Sequence, residues 1–70
     1  MAKLKPVFSA TKLKTFRERA GLSVADLAEA IGLSRQSIYR FERGDDTPRA
    51  NVLFRMADAL GVKADELRES

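Results

Sequence analysis

The sequence predicts an all-α fold, a compact domain of five helices, and two observations support this prediction. Apolar residues recur at spacings of three and four, as on one face of a helix, and nowhere alternate singly as in a half-exposed strand. Glycines and short polar stretches divide the 70 residues into segments of helical length. The chain has no cysteine and no histidine, which excludes disulfides and zinc sites built from these residues. Stability must therefore come from an apolar core, and no enzyme activity is expected.

The first three predicted helices begin with the same local signal. In each, an apolar residue precedes a serine that can cap the first turn, and a second apolar residue follows four positions after the serine. The capping residues are Ser9, Ser23 and Ser34. They predict helices over residues 10–20, 24–31 and 35 to 41 or 42.

Two more helices are predicted after a polar loop. The fourth begins near Pro48, whose fixed φ suits a first turn, and presents apolar residues as far as Gly61. The fifth is short, at about residues 64–67, with two acidic residues in the first turn, where the helix dipole favours them. The predicted organisation is a flexible basic arm over residues 1–8 followed by one domain over residues 9–70.

Basic residues are concentrated in the first part of the chain. Residues 1–43 contain nine Lys or Arg and four acids, a net charge of +5, whereas residues 44–70 contain four and six, a net charge of −2. Such asymmetry favours a polyanionic partner on one side of the domain, and nucleic acid is the leading candidate.

Residues 24–43 have the pattern of a helix-turn-helix. Ala28 is small where two helices would cross closely, and Gly32 can adopt the positive φ of a tight turn. The facing apolar residues are Leu27, Ile31, Leu33, Ile38 and Phe41. The residues left on the outside of the second helix suit base edges and phosphates. These are Arg35, Gln36, Tyr39, Arg40 and Arg43.

Short motifs follow one another along most of the chain. They are LKTFR at 13–17, AGLS at 20–23, LA at 27–28, FERG at 41–44 and ADALGV at 57–62. In this order and spacing they resemble the lambda-repressor-like, or XRE/Cro-type, helix-turn-helix domains of bacterial and phage regulators, over roughly residues 10–69. The resemblance implies that the helix after Ser34 lies in the major groove of DNA.

The resemblance also implies roles for individual side chains. Base contacts are implied for Ser34, Arg35, Gln36 and Arg40. The tyrosine side chain of Tyr39 is suited to contacting a thymine methyl group or stacking on a sugar, and equally to covering its neighbours. Glutamine can pair with adenine and arginine with guanine. Phosphate contacts are implied for Arg17, Ser23, Ser37 and Arg43. An ion pair is implied between Arg17 and Glu42, joining the first helix to the end of the third.

A homodimer is expected because one recognition helix contacts too few base pairs to select a site in a genome. A domain this small can hardly bury every apolar residue of its last two helices, so some of these residues should meet a second copy. The expected dimer surface consists of Arg49, Leu53, Arg55, Met56, Val62 and Leu67. Two copies would recognise a pseudo-palindromic operator.

These observations predict a regulator of transcription, more specifically a repressor, that binds double-stranded DNA in the cytoplasm. No cofactor, metal ion or membrane is expected to take part. The alternative is a protein-interaction module, such as an antitoxin, that binds a toxin or another protein. Val24 favours this alternative because the family often has a phosphate-binding glutamine there. Asp45 and Asp46 also favour it, because acids near DNA would repel phosphate.

Overall fold

The structure is a computed structural model that describes residues 8–69. Its elements are α1 (Ala10–Arg19), α2 (Val24–Ile31), α3 (Arg35–Arg43), α4 (Ala50–Leu60) and a 3-10 helix (Ala64–Leu67). The all-α prediction is confirmed. The fifth helix lies where the sequence places it but is a single 3-10 turn, because four residues allow only bonds such as Glu66 N–H to Lys63 O at 2.9 Å.

Capping serines begin the first three helices, as predicted. The side-chain oxygen of each accepts a hydrogen bond from the backbone N–H three residues later, at 3.2 Å for Ser9, 3.0 Å for Ser23 and 3.2 Å for Ser34. Helix α4 begins two residues after Pro48. The backbone at Arg49 is still extended, with ψ of 162°, and its carbonyl accepts the first helical bond from Leu53 at 2.8 Å.

One apolar core joins all five elements. Each element contributes one large side chain that is fully buried. These side chains are Leu13, Leu27, Ile38, Met56 and Leu67. The turn between α2 and α3 has the predicted geometry, since Gly32 adopts φ of 73° and Ala28 is buried where the helices meet. The core therefore fixes α3 against the other helices along one side only.

The two ends of the described chain are joined by a terminal clasp, formed by residues 8–12 and 67–68. Ser9 N–H donates to Leu67 O at 2.7 Å, and the Lys12 ammonium donates to Arg68 O at 2.8 Å. Phe8 pairs with Arg68 in an isolated antiparallel bridge and packs its ring edge-on against Phe41. Phe8 thus belongs to the domain and not to the predicted arm, of which residues 1–7 lie outside the described residues.

The start of α2 carries a pH-sensitive capping box. Ser23 N–H donates to the Asp26 carboxylate at 3.0 Å, and this bond lowers the pKa of Asp26 from its ordinary value of 3.8. A carboxyl group whose pKa is lowered by folding stabilises the fold above its ordinary pKa, and this contribution is lost as the pH falls through the lowered value.

We therefore expect Asp26→Asn to reduce stability more at neutral pH than well below pH 3.8. Urea unfolding of the original protein and of the variant at each pH measures the loss in free energy of unfolding. Equal differences at both pH values would contradict the capping-box assignment.

Candidate nucleic-acid interface

Helix α3 presents one polar side to solvent. Ile38 and Phe41 point into the core, with 0% and 5% of their surface exposed. The opposite side brings together five exposed side chains that the sequence predicts as DNA contacts: Arg35, Gln36, Tyr39, Arg40 and Arg43. Tyr39 keeps 51% of its surface exposed, so about half of it remains available for contact with another molecule. The sequence identifies this surface because the helical period separates it from the buried positions.

The N-terminus of α3 is closed by two serine hydroxyls. Ser34 Oγ accepts from Ser37 N–H at 3.2 Å and lies 3.1 Å from Ser37 Oγ. Ser34 is exposed and Ser37 is half-buried. Both hydroxyls are thus engaged in capping, and a contact with a base or a phosphate would be made in addition to that role.

Arg17 and Glu42 form a buried ion pair between α1 and α3. Arg17 Nε donates to Glu42 Oε2 at 2.6 Å, and its Nη2 donates to Glu42 Oε1 at 3.1 Å. The side chains are only 11% and 8% exposed. The hydrogen bond to the Glu42 carboxylate raises the pKa of Arg17 above its ordinary value. The pair is therefore bidentate and locks α3 onto α1.

The phosphate contact implied for Arg17 does not fit this arrangement. Its third nitrogen, Nη1, donates to the carbonyl of Leu22 at 2.8 Å, so all three nitrogens have partners inside the domain. A phosphate would have to displace these partners from a side chain that is mostly covered. We assign Arg17 a structural role alone.

The same ion pair determines the charge on the exposed side of α3. Glu42 is the only acidic residue in the helix, and its carboxylate points inward to Arg17. The exposed side consequently carries three arginines without an acidic side chain from α3 itself. This is the charge distribution that attracts a polyanion.

The loop after α3 places one acid beside this surface. Arg43 Nε lies 3.1 Å from Asp45 Oδ2, and both side chains are more than half exposed. Asp46 instead accepts a hydrogen bond from Thr47 N–H at 2.9 Å. An exposed pair of this kind is worth at most about 1 kcal/mol, so a phosphate can compete with Asp45 for Arg43.

The start of α2 is closed by a capping box. Ser23 is exposed, its hydroxyl accepts from Asp26 N–H, and its backbone N–H donates to the Asp26 carboxylate, so a phosphate at Ser23 would approach an acidic side chain. Asp26 is not among the residues predicted for the site, although its spacing of three from a capping serine is the signal of a capping box. Val24 is half-buried and packs against the core.

The dimer surface expected from the sequence is only partly available. Leu53, Met56 and Leu67 are 5%, 0% and 0% exposed within the single chain, so they are core residues and not interface residues. Of the other residues expected there, Arg49 and Arg55 are exposed and Val62 is half-buried.

One large apolar residue that the sequence analysis passed over is on the outside of α4. Phe54 keeps 58% of its surface exposed. A helical projection of α4 could have found it, because position 54 lies away from the positions of Leu53, Met56 and Leu60.

The part of the chain that the structure describes lacks two further classes of site. Within residues 8–69, no group of three or more acidic side chains is arranged to hold a metal ion. No helix in this part of the chain is long and apolar enough to cross a membrane.

Comparison with known proteins identifies the family. A family model for a helix-turn-helix domain matches residues 10–70. An uncharacterized HTH-type transcriptional regulator from Methanocaldococcus jannaschii is 38% identical over 56 residues, which cover 80% of this chain and 85% of that protein. Other curated relatives are longer, and the chain spans between 16% and 31% of their length.

Two solved structures have closely similar folds. The restriction-modification controller protein C.AhdI from Aeromonas hydrophila has a TM-score of 0.79 and 31% identity, covering 83% of this chain and 88% of that chain. SinR, a master regulator for biofilm formation solved in complex with DNA, has a TM-score of 0.78 and 25% identity, covering 83% and 94%. The chain therefore belongs to the helix-turn-helix domain family, in the lambda-repressor-like (XRE/Cro-type) group of DNA-binding domains found in regulators of transcription.

Proposed function

We propose that this chain is a sequence-specific, DNA-binding transcriptional repressor that binds a pseudo-palindromic operator as a homodimer. Its family, its regulator relative and the DNA-bound SinR structure support DNA binding. The observation that carries the proposal is the exposed side of α3, which has three arginines, a glutamine and a tyrosine but no acid from that helix.

The dimensions of α3 suit the major groove of DNA. An α-helix with its side chains is about 10–12 Å in diameter, which fits the groove's width of about 12 Å, and the nine residues of α3 extend about 13 Å along the helix axis. The Arg17–Glu42 pair and the buried side of α3 hold its orientation, so few degrees of freedom are lost on docking. Helix α3 thus acts as a rigid recognition element.

Different side chains of α3 would make different kinds of contact. Gln36 can donate to and accept from adenine, and Arg35 or Arg40 can donate twice to guanine. Arg43, at the far end of the helix beside the polar loop, suits a phosphate. Base contacts select a sequence, whereas phosphate contacts strengthen binding to every sequence.

Selection of bound duplexes from a random pool at two salt concentrations tests the proposal. We expect an enriched pseudo-palindrome with half-sites about one helical turn apart, bound by two copies of the protein. Arg35→Ala or Gln36→Ala should weaken discrimination at one base position by about 5-fold to 150-fold, the equivalent of 1–3 kcal/mol.

Arg43→Ala should instead weaken binding to all sequences and lower the salt slope by about one. Lys63→Ala is the control that removes the same charge, because Lys63 precedes the 3-10 helix, which packs mainly against α1 and α4. Binding without enrichment, or no binding, would contradict the proposal and favour the protein-interaction alternative.

A further inference from the structure

We infer that Asp45 is an internal competitor of DNA, which holds Arg43 in the free protein and thereby weakens binding to duplexes of every sequence. The inference deepens the proposed function and rests on it, because it concerns the phosphate contact proposed for Arg43. It assigns an inhibitory role to an acid that borders the basic side of α3.

The end of α3 fixes the backbone of Asp45. Gly44 adopts φ of 79°, which ends the helix, and its N–H donates to Phe41 O at 3.2 Å. Asp45 N–H donates to Arg40 O at 2.9 Å, so the two bonds together form a Schellman motif. Asp45 is therefore attached to the last turn of α3, and its side chain starts from a defined position.

The carboxylate of Asp45 lies against the guanidinium of Arg43. Asp45 Oδ2 is 3.1 Å from Arg43 Nε, and both side chains are more than half exposed. An exposed ion pair of this kind is weak, so a phosphate of DNA can replace the carboxylate. In the free protein, the carboxylate thus occupies a nitrogen that a phosphate would use.

The position of Asp45 does not favour the helix itself. The C-terminal end of a helix carries a partial negative charge, which attracts cations and repels carboxylates. Asp46, the next residue, uses its carboxylate to accept a hydrogen bond from Thr47 N–H. Within residues 8–69, Arg43 is the one polar partner of the Asp45 carboxylate. The effect of Asp45 is therefore expected in binding and not in the stability of α3.

Docking of α3 onto DNA would break the contact between Arg43 and Asp45. Arg43 must leave the carboxylate to reach a phosphate, and the freed carboxylate remains beside the negatively charged backbone of the duplex. Both effects oppose binding, and neither depends on the bases. Asp45 thus reduces the contribution of the backbone contacts and leaves the selection of bases to the rest of α3.

Asp45→Asn tests this role, because it removes the charge and keeps the shape of the side chain. At low salt the variant should bind a duplex of fixed random sequence about threefold to tenfold more tightly than the original protein. The gain should shrink as salt is raised, since salt screens exposed charges. Selection from a random pool should enrich the same sequence for both proteins. Fluorescence anisotropy with a labelled duplex measures the affinities, and circular dichroism verifies that each variant is folded.

Two controls separate the contact from a general effect of net charge. Asp46→Asn removes the same charge from the adjacent residue and should change the affinity little. In an Arg43→Ala background, most of the gain from Asp45→Asn should disappear, because no guanidinium is left to be released. The inference is overturned if Asp45→Asn does not tighten binding, if Asp46→Asn tightens it equally, or if the full gain persists without Arg43.

The test separates this inference from the proposed function. If the original protein enriches a pseudo-palindrome but Asp45→Asn binds no more tightly, the inference fails and the proposed function stands. If Asp45→Asn tightens binding through Arg43 and no sequence is enriched, the inference stands and the sequence-specific function is contradicted. If neither protein binds any duplex at low salt, both are contradicted.

Discussion

Arg17→Ala is expected to lower the free energy of unfolding by about 3–5 kcal/mol. The substitution removes both donors to Glu42 and the donor to the Leu22 carbonyl, and it leaves a carboxylate that is only 8% exposed without its counter-ion. Urea unfolding at neutral pH measures the loss as a lower midpoint. Affinity for DNA should fall as well, because α3 loses its attachment to α1.

A double-mutant cycle separates the ion pair from other effects of the substitution. Arg17→Ala, Glu42→Ala and the double variant should reveal a coupling energy above about 1 kcal/mol. The same cycle on the exposed pair Arg43 and Asp45 is the control, with an expected coupling of about 0–1 kcal/mol. Additive effects at Arg17 and Glu42 would mean that the bidentate pair contributes no stability of its own.

Leu67→Ala is expected to lower the free energy of unfolding by about 2–5 kcal/mol, as for other large residues in a close-packed core. Leu67 is 0% exposed and its carbonyl accepts the bond from Ser9, so the substitution opens a cavity beneath the terminal clasp. Urea unfolding at several protein concentrations should show the same loss at each, since the residue is buried within one chain.

Phe54→Ala is the matched control for this prediction. At concentrations where the protein is monomeric, removing a side chain that is 58% exposed should change stability little. A loss at Leu67 that grew with protein concentration would contradict its placement in the core and return it to the dimer surface.

The helices could be predicted from the sequence because their signals are local. A serine cap, an apolar residue on either side of it and a glycine after the last turn all act within a few residues, and the bounds of α2 were predicted to the residue. The start of α4 has no such signal. Proline is compatible with a first turn and with the extended segment before it, so the choice at Pro48 depends on tertiary packing.

The exposed side of α3 was predictable for the same reason, because every third or fourth residue of that helix is apolar. The buried side of α4 follows the same period, which groups Leu53 with Met56 and Leu60 and leaves Phe54 outside. The burial of Arg17, in contrast, depends on how α1 meets α3, which neither Arg17 nor Glu42 determines alone.

The terminal clasp has a consequence for the order in which the domain folds. Lys12 and Arg68 are 56 positions apart, so their contact closes a loop of almost the whole described chain. The turn at Gly32, in contrast, brings α2 and α3 together across a few residues. Long loops are costlier to close in conformational entropy, and contacts at high sequence separation slow folding. The helix-turn-helix can therefore assemble before the ends meet, and fraying of the ends exposes Leu67 and the side of Phe41 that Phe8 covers.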